Sequence, residues 1–178
     1  MTLALVRHGR TEWNRARRMQ GRSDIPLDAH GRAQADAAGR ALSVAVWRRI
    51  VTSPLSRARE TAAIIAGHIP GVGIEPEPAL VERGYGEAEG VSVAEARERW
   101  PDDDFPGAES VADATARGVA AIRGLADAGP ATIAVAHGTL IRLAVSALTG
   151  DDCPRLPNGQ VVLLARDGDG FRASWLHG

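Results

Sequence analysis

The chain has 178 residues, 44% of them hydrophobic, and a formal net charge of -1, which suits one globular domain over residues 1–178 with a single sizeable core. That balance argues against a nucleic-acid binder, and no apolar run is long enough for a membrane span or a signal sequence, so a cytoplasmic protein is expected. All 21 basic residues are Arg, which excludes Schiff-base lysine chemistry and a P-loop lysine, and the lone Cys153 allows neither an internal disulfide nor a CxxC motif.

In chain order, LALV (3–6) is a short run of β-formers that leads into Arg7, His8 and Gly9. Thr11 is the expected N-cap of a helix over 12–18, and Asp28 that of a helix over 29–42. RRIVTS (48–53) is a second strand, followed by a helix for which Ser53 is the N-cap and Pro54 the first helical residue. The apolar face of that helix is Leu55, Ala58, Ala62, Ile65 and Ala66. A long Ala-rich helix is predicted over 108–128, before a third strand, ATIAVA (131–136). Residues 160–176 read as two strands joined by a Gly- and Asp-rich turn. Continuous rather than alternating apolar runs suit strands buried on both faces. The predicted fold is α/β: a three-layer α/β/α sandwich with a mainly parallel sheet and an edge hairpin.

In open α/β sheets, ligands bind beyond the carboxyl ends of the strands, where helix N-termini also point. Three polar strand ends meet there: Arg7 with His8, Thr52 and Ser53 with Arg57 one turn further on, and His137 with Gly138. Two Arg forks match phosphate oxygens and neutralise their charge, so this is an anion site. A metal held by His8, His137 and a carboxylate would sit against two permanent positive charges, which Coulomb's law disfavours; no metal and no cofactor is expected. An imidazole can be neutral near pH 7 and still attack, and neighbouring Arg favours the neutral form. His8, beside Arg7, is the leading nucleophile candidate; the symmetric assignment to His137 stays open on physics alone.

LVRHGRTEWN (5–14), PLDAHGRAQA (26–35), TSPLSRARETA (52–62), LVERGYGEAEG (80–90), PGAES (106–110) and AVAHGTLIR (134–142) carry a resemblance. Together, in this order and across nearly the whole chain, they resemble the successive signatures of the histidine phosphatase superfamily, in its phosphoglycerate-mutase-like branch. The resemblance implies that His8 is phosphorylated, that Arg7, Arg57 and His137 hold the phosphoryl group with Gly138 beside them, and that Asn14 contacts it. Thr11 and Gln20 are further matches. It also implies that Glu82 protonates the leaving oxygen and then activates water, with Glu87 and Glu89 as rivals by proximity. Ala88 stands where many relatives carry Trp, which reduces a packing surface near the acid.

Mutases of that branch have an insertion after the acid segment, whereas about two dozen residues separate Glu82 from PGAES here. The expected activity is therefore metal-independent hydrolysis of a small phosphorylated metabolite through a phosphohistidine, by a monomer or a homodimer. The alternatives are a phosphoglycerate-type mutase and a noncatalytic phospholigand-binding module. Tyr85 is a candidate contact for the organic part of the substrate. Arg15, Arg17, Arg18 and Arg22 read as a solvated face, with one member reaching an anionic substrate as the alternative; Arg59 reads as a solvated helix residue, and His30, His68 and His177 as surface residues.

Overall fold

A computed structural model of the chain describes residues 2–129 and 131–176. Its six strands are β1 (Thr2–Arg7), β2 (Arg49–Thr52), β3 (Ile74–Pro76), β4 (Thr132–Ala136), β5 (Val161–Asp167) and β6 (Gly170–Leu176). Six α-helices accompany them: α1 (Glu12–Arg15), α2 (Ala29–Leu42), α3 (Ser56–Ala66), α4 (Val93–Arg99), α5 (Val111–Asp127) and α6 (Gly138–Thr149). The sheet order is β3-β2-β4-β1-β5-β6. The first four strands run parallel, and β5 and β6 form the antiparallel edge hairpin.

The continuous apolar runs follow from burial on both faces. In β1, Leu3 and Leu5 face one cluster, shared with Leu125 of α5 and Leu140 and Ile141 of α6. Ala4 and Val6 face the other, shared with Leu42 of α2 and Ala62 and Ile65 of α3. In β4, Ala134 and Ile133 divide in the same way. The three-layer sandwich is thus written into one two-residue period on strands with no polar face. A third, smaller cluster lies apart, formed by Ala88, Ala96 and Phe105 with Tyr85 and Trp100 against it.

Asp28 caps α2 by accepting from the Gly31 amide at 2.7 Å, and its other oxygen accepts from Arg10 Nε at 2.7 Å. Asp28→Ala is expected to lower stability by about 1–2 kcal/mol in a denaturant titration, since both acceptors are lost.

Several boundaries differ from the sequence reading. Helix α1 ends at Arg15 rather than at 18, because Arg17 turns into the left-handed region (φ 52°). Helix α3 begins at Ser56, with Leu55 at its N-cap position; Ser53 lies two residues before that, its hydroxyl accepting from the Leu55 amide at 3.4 Å. Helix α5 starts at Val111, three residues later than expected, because Ser110 caps it. Strand β3 was missed because all three of its residues are exposed and one is Pro, and α4 because it buries only Ala96.

Candidate active site

Strand register assembles the centre. Arg7 pairs with Ala136 across β1 and β4, so the next residues, His8 and His137, emerge side by side with ring centroids 5.1 Å apart. Thr52 pairs with Val135 across β2 and β4, which sets Ser53 beside His137, its Oγ 2.7 Å from Nε2. Sequence reasoning gave Ser53 to a helix cap; its hydroxyl contacts the histidine as well as the Leu55 amide ahead of α3.

The two imidazoles are not equivalent. His8 Nδ1 lies 2.7 Å from the Gly9 carbonyl, which can only accept, so Nδ1 carries the proton and Nε2 is the ring nitrogen with a free lone pair. His8 lines the cavity described below, whereas His137 is completely buried behind it. Its Nδ1 has no partner among the described residues. Burial, and then the Arg57 charge, hold both imidazoles well below the usual histidine range, with Arg7 adding to the effect on each.

A stability prediction follows. Histidines in the unfolded chain take up protons near pH 6.5, while the two buried rings stay neutral. Their contribution is complete above that pH and is lost as pH falls towards their folded-state values. Denaturation midpoints should therefore decline from pH 6.5 to 5.5, before carboxylates protonate; a flat profile would contradict neutral rings.

Arg57, in the first turn of α3, is 1% exposed. It donates from Nη1 to the Ser23 carbonyl (2.8 Å) and from Nη2 to that of Gly21 (2.7 Å). With its amide oriented to satisfy both neighbours, Gln20 accepts from Arg57 Nε (2.7 Å) and Nη1 (2.9 Å) and donates to Thr11 Oγ1 (2.6 Å). Four of the five Arg57 N–H groups are thereby used, which leaves one for a ligand. Burial brings its pKa down to about 10, so the guanidinium stays charged at neutral pH. Arg7 donates from Nη1 to the Leu156 carbonyl, while its buried Nε has no partner among the described residues. Gly138 permits this arrangement: a Cβ there would stand 3.1 Å from Arg7 Nε.

Asn14 closes the capping box of α1, its Oδ1 accepting from the Thr11 amide and from Asn158 Nδ2 (3.0 Å), and it lines the cavity. Thr11 is the N-cap, as expected, and its hydroxyl is taken by Asn14 and Gln20. Asn158 also donates to the His8 carbonyl at 3.1 Å. It ties His8 to Asn14 from 150 and 144 residues further along the sequence, where no local signal could reveal it.

Glu82 is buried with one oxygen accepting from the Arg83 and Leu140 amides (both 2.9 Å) and the other from Thr139 (3.1 Å). It therefore sits at the N-terminus of α6 and opens on the cavity. The rivals lie elsewhere. Glu87 is exposed, and Glu89 is committed to the amides of Arg22, Ser23 and Tyr85.

The cavity holds about 350 Å³ and is lined by Arg7, His8, Asn14, Gln20, Arg57, Glu82 and Gly138, among others. Of the other residues that the sequence placed at the site, Thr11, Thr52, Ser53 and His137 are buried and do not open on it. Arg17 and Arg18 also line it, so the expected solvated face is divided: Arg15 and Arg22 pair outward with Glu12 and Glu109. Tyr85 is at the wall, its hydroxyl 2.6 Å from Thr139 Oγ1. His68 is half-buried, with Nε2 2.7 Å from Asp36, rather than a plain surface residue; His30 and Arg59 are exposed, and His177 lies outside the described residues.

The family model described as "Histidine phosphatase superfamily (branch 1)" matches residues 3–177. The chain belongs to the histidine phosphatase superfamily. Among its relatives in the superfamily, a Bacillus subtilis protein described as the uncharacterized phosphatase PhoE is 38% identical over 164 residues, 90% of this chain and 83% of that protein. The probable phosphoglycerate mutase GpmB of Klebsiella pneumoniae is 36% identical over 159 residues, 82% and 74% of the two chains. Bacillus stearothermophilus YhfR superposes with a TM-score of 0.88 at 30% identity, covering 98% of this chain and 95% of that one. A mycobacterial glucosyl-3-phosphoglycerate phosphatase solved in complex with VO3 also scores 0.88, at 27% identity, covering 98% and 97%. The matching solved structures share the α/β fold, with its mostly parallel sheet.

Proposed function

We propose that this histidine phosphatase acts as a single domain that hydrolyses a small phosphorylated metabolite in the cytoplasm, through a phosphohistidine on His8 and without a metal. The observation that carries the reading is the Nδ1–H contact from His8 to the Gly9 carbonyl, which leaves Nε2 as the attacking atom beside Arg7 and Arg57. Nε2 forms the bond to phosphorus as the P–O bond to the leaving group breaks, and a protonated Glu82 gives its proton to the departing oxygen. Water then attacks phosphorus, the N–P bond breaks, and Glu82 takes the proton from that water. Arg7, Arg57 and His137 stabilise the charge on the equatorial oxygens; with the Ser53 hydroxyl donating to Nε2, the neutral His137 carries its proton on Nδ1, the donor that remains. Asn14 and Gln20 complete the pocket, the latter by orienting Arg57.

Hydrolysis is favoured over transfer because the segment between Glu82 and PGAES is short, with one α-helix, α4, and a 3-10 turn at Gly86–Ala88, and two of the relatives are named as phosphatases. The test is release of inorganic phosphate from 4-nitrophenyl phosphate across pH 5 to 8, with and without EDTA. Turnover indifferent to the chelator is expected; activity lost to EDTA and restored by a divalent ion would overturn the metal-free reading.

A further inference from the structure

Ahead of β5, Pro157, Asn158 and Gly159 make a tight turn. Gly159 takes a left-handed φ of 79°, where glycine is at ease, and the Gln160 amide closes the turn on the Pro157 carbonyl at 3.2 Å. Main-chain bonds join this turn to the end of β1. The Gly159 amide donates to the carbonyls of Arg7 (3.0 Å) and His8 (3.3 Å), and the Arg7 amide donates to the Gln160 carbonyl (3.0 Å). None of these bonds uses the Asn158 side chain. The backbone therefore delivers that side chain to the cavity, which it lines, without needing it to hold the turn.

Asn158 Nδ2 donates to the His8 carbonyl (3.1 Å) and to Asn14 Oδ1 (3.0 Å). A carbonyl can only accept, so the Asn158 atom beside His8 is its nitrogen. The same reasoning fixes Asn14, because the Thr11 main-chain amide can only donate to it, and does so at 3.2 Å. The His8 carbonyl keeps the Gly159 amide as a second donor, so the bond without a substitute is the one to Asn14. Two donors fill the lone pairs of Asn14 Oδ1 and fix the plane of its amide. Asn14 lines the cavity, and its Nδ2 makes no hydrogen bond among the described residues. The end of the amide left for a phosphoryl oxygen is thus its donor, whereas an amide oxygen in that place would repel the anion.

We infer that Asn158 is a positioning residue for phosphoryl transfer: by donating to Asn14 Oδ1 it holds Asn14 Nδ2 ready for the phosphoryl oxygens, which it does not itself touch. This rests on the phosphatase reading above, in which Asn14 completes the pocket, and adds to it a residue 144 positions further along the chain. A donor fixed beforehand acts most strongly where charge grows on those oxygens, in the transition state.

A double-mutant cycle tests the assignment, with kcat/KM for 4-nitrophenyl phosphate measured in wild type, Asn158→Leu, Asn14→Ala and the double variant. Asn158→Leu should lose about tenfold, the scale of one hydrogen bond to a charged group. In the Asn14→Ala background the same change should cost no more than about twofold, because the amide it positions is gone. Orthovanadate, which becomes five-coordinate as phosphorus does in the transition state, should lose affinity for Asn158→Leu more than tetrahedral inorganic phosphate does. A loosened fold would instead weaken both ligands alike and would persist without Asn14. Additive losses, equal weakening of the two ligands, or an unaffected Asn158→Leu would each overturn the assignment. Asn158→Ala repeats the cycle, so that a Leu variant that fails to fold does not decide it. If wild type turns over no 4-nitrophenyl phosphate, the phosphatase reading fails by itself. The cycle is then read from calorimetric affinity for orthovanadate, where additive losses, or no binding to wild type, overturn the positioning role as well.

Discussion

Phosphate release is expected to fall by at least about 10⁴-fold in His8→Ala, the scale seen when a covalent nucleophile is removed from an intact pocket. The size of the loss reflects the placement of the ring. Its Nδ1 is committed to the Gly9 carbonyl, and among the described residues that line the cavity with Arg7 and Arg57 it is the only imidazole, with no thiol present. Rapid-quench labelling with a phosphoryl donor should yield an acid-labile, base-stable phosphoprotein from wild type and none from His8→Ala. Because Ala leaves Arg7, Arg57 and His137 in place, the variant should still bind inorganic phosphate. A variant that folds, binds phosphate and turns over at a tenth of the wild-type rate would contradict the covalent route.

The second large effect is conditional on the leaving group. Glu82→Gln should cut kcat by about 10²–10⁴-fold for an alkyl phosphate, the range for removal of a positioned general acid. For 4-nitrophenyl phosphate, whose leaving oxygen is a weak base, dephosphorylation becomes the sensitive step and the loss should be much smaller in the burst of nitrophenol than in steady turnover. Glutamine can keep its oxygen towards the Arg83 and Leu140 amides and gives up only the acceptor for Thr139, so the wall of the cavity should survive. Equal losses for both substrates and both phases would argue that Glu82 is a structural acceptor at the start of α6.

Much of the centre was readable before any coordinates. His8, His137 and Arg57 sit at strand ends or one turn beyond, and strand ends are the part of an α/β fold that local apolar patterning marks best. Ser53 was misread because one hydroxyl satisfies two local rules: it precedes a helix, and it follows a strand that ends beside a histidine. The choice among Glu82, Glu87 and Glu89 could not be made from proximity. It depends on Glu89 finding Ser23, a residue 66 positions away, and on Glu82 finding the first amides of α6. The arginines of the outer wall were hidden for the same reason. Arg17 reaches the cavity through a left-handed turn, and Arg97 belongs to a helix too short and too exposed to announce itself.

The cluster of Ala88, Ala96 and Phe105 shares no buried side chain with the two cores that grip the sheet. Substitutions in it should add independently to changes made in the sandwich. Through Tyr85 and the neighbouring residues Val93 and Arg97, that same patch borders the mouth of the cavity. The molecule is thereby divided into a conservative half, where strand ends carry the chemistry, and a tunable half. New leaving-group preferences could be selected in the latter by small steps, each with little penalty to folding.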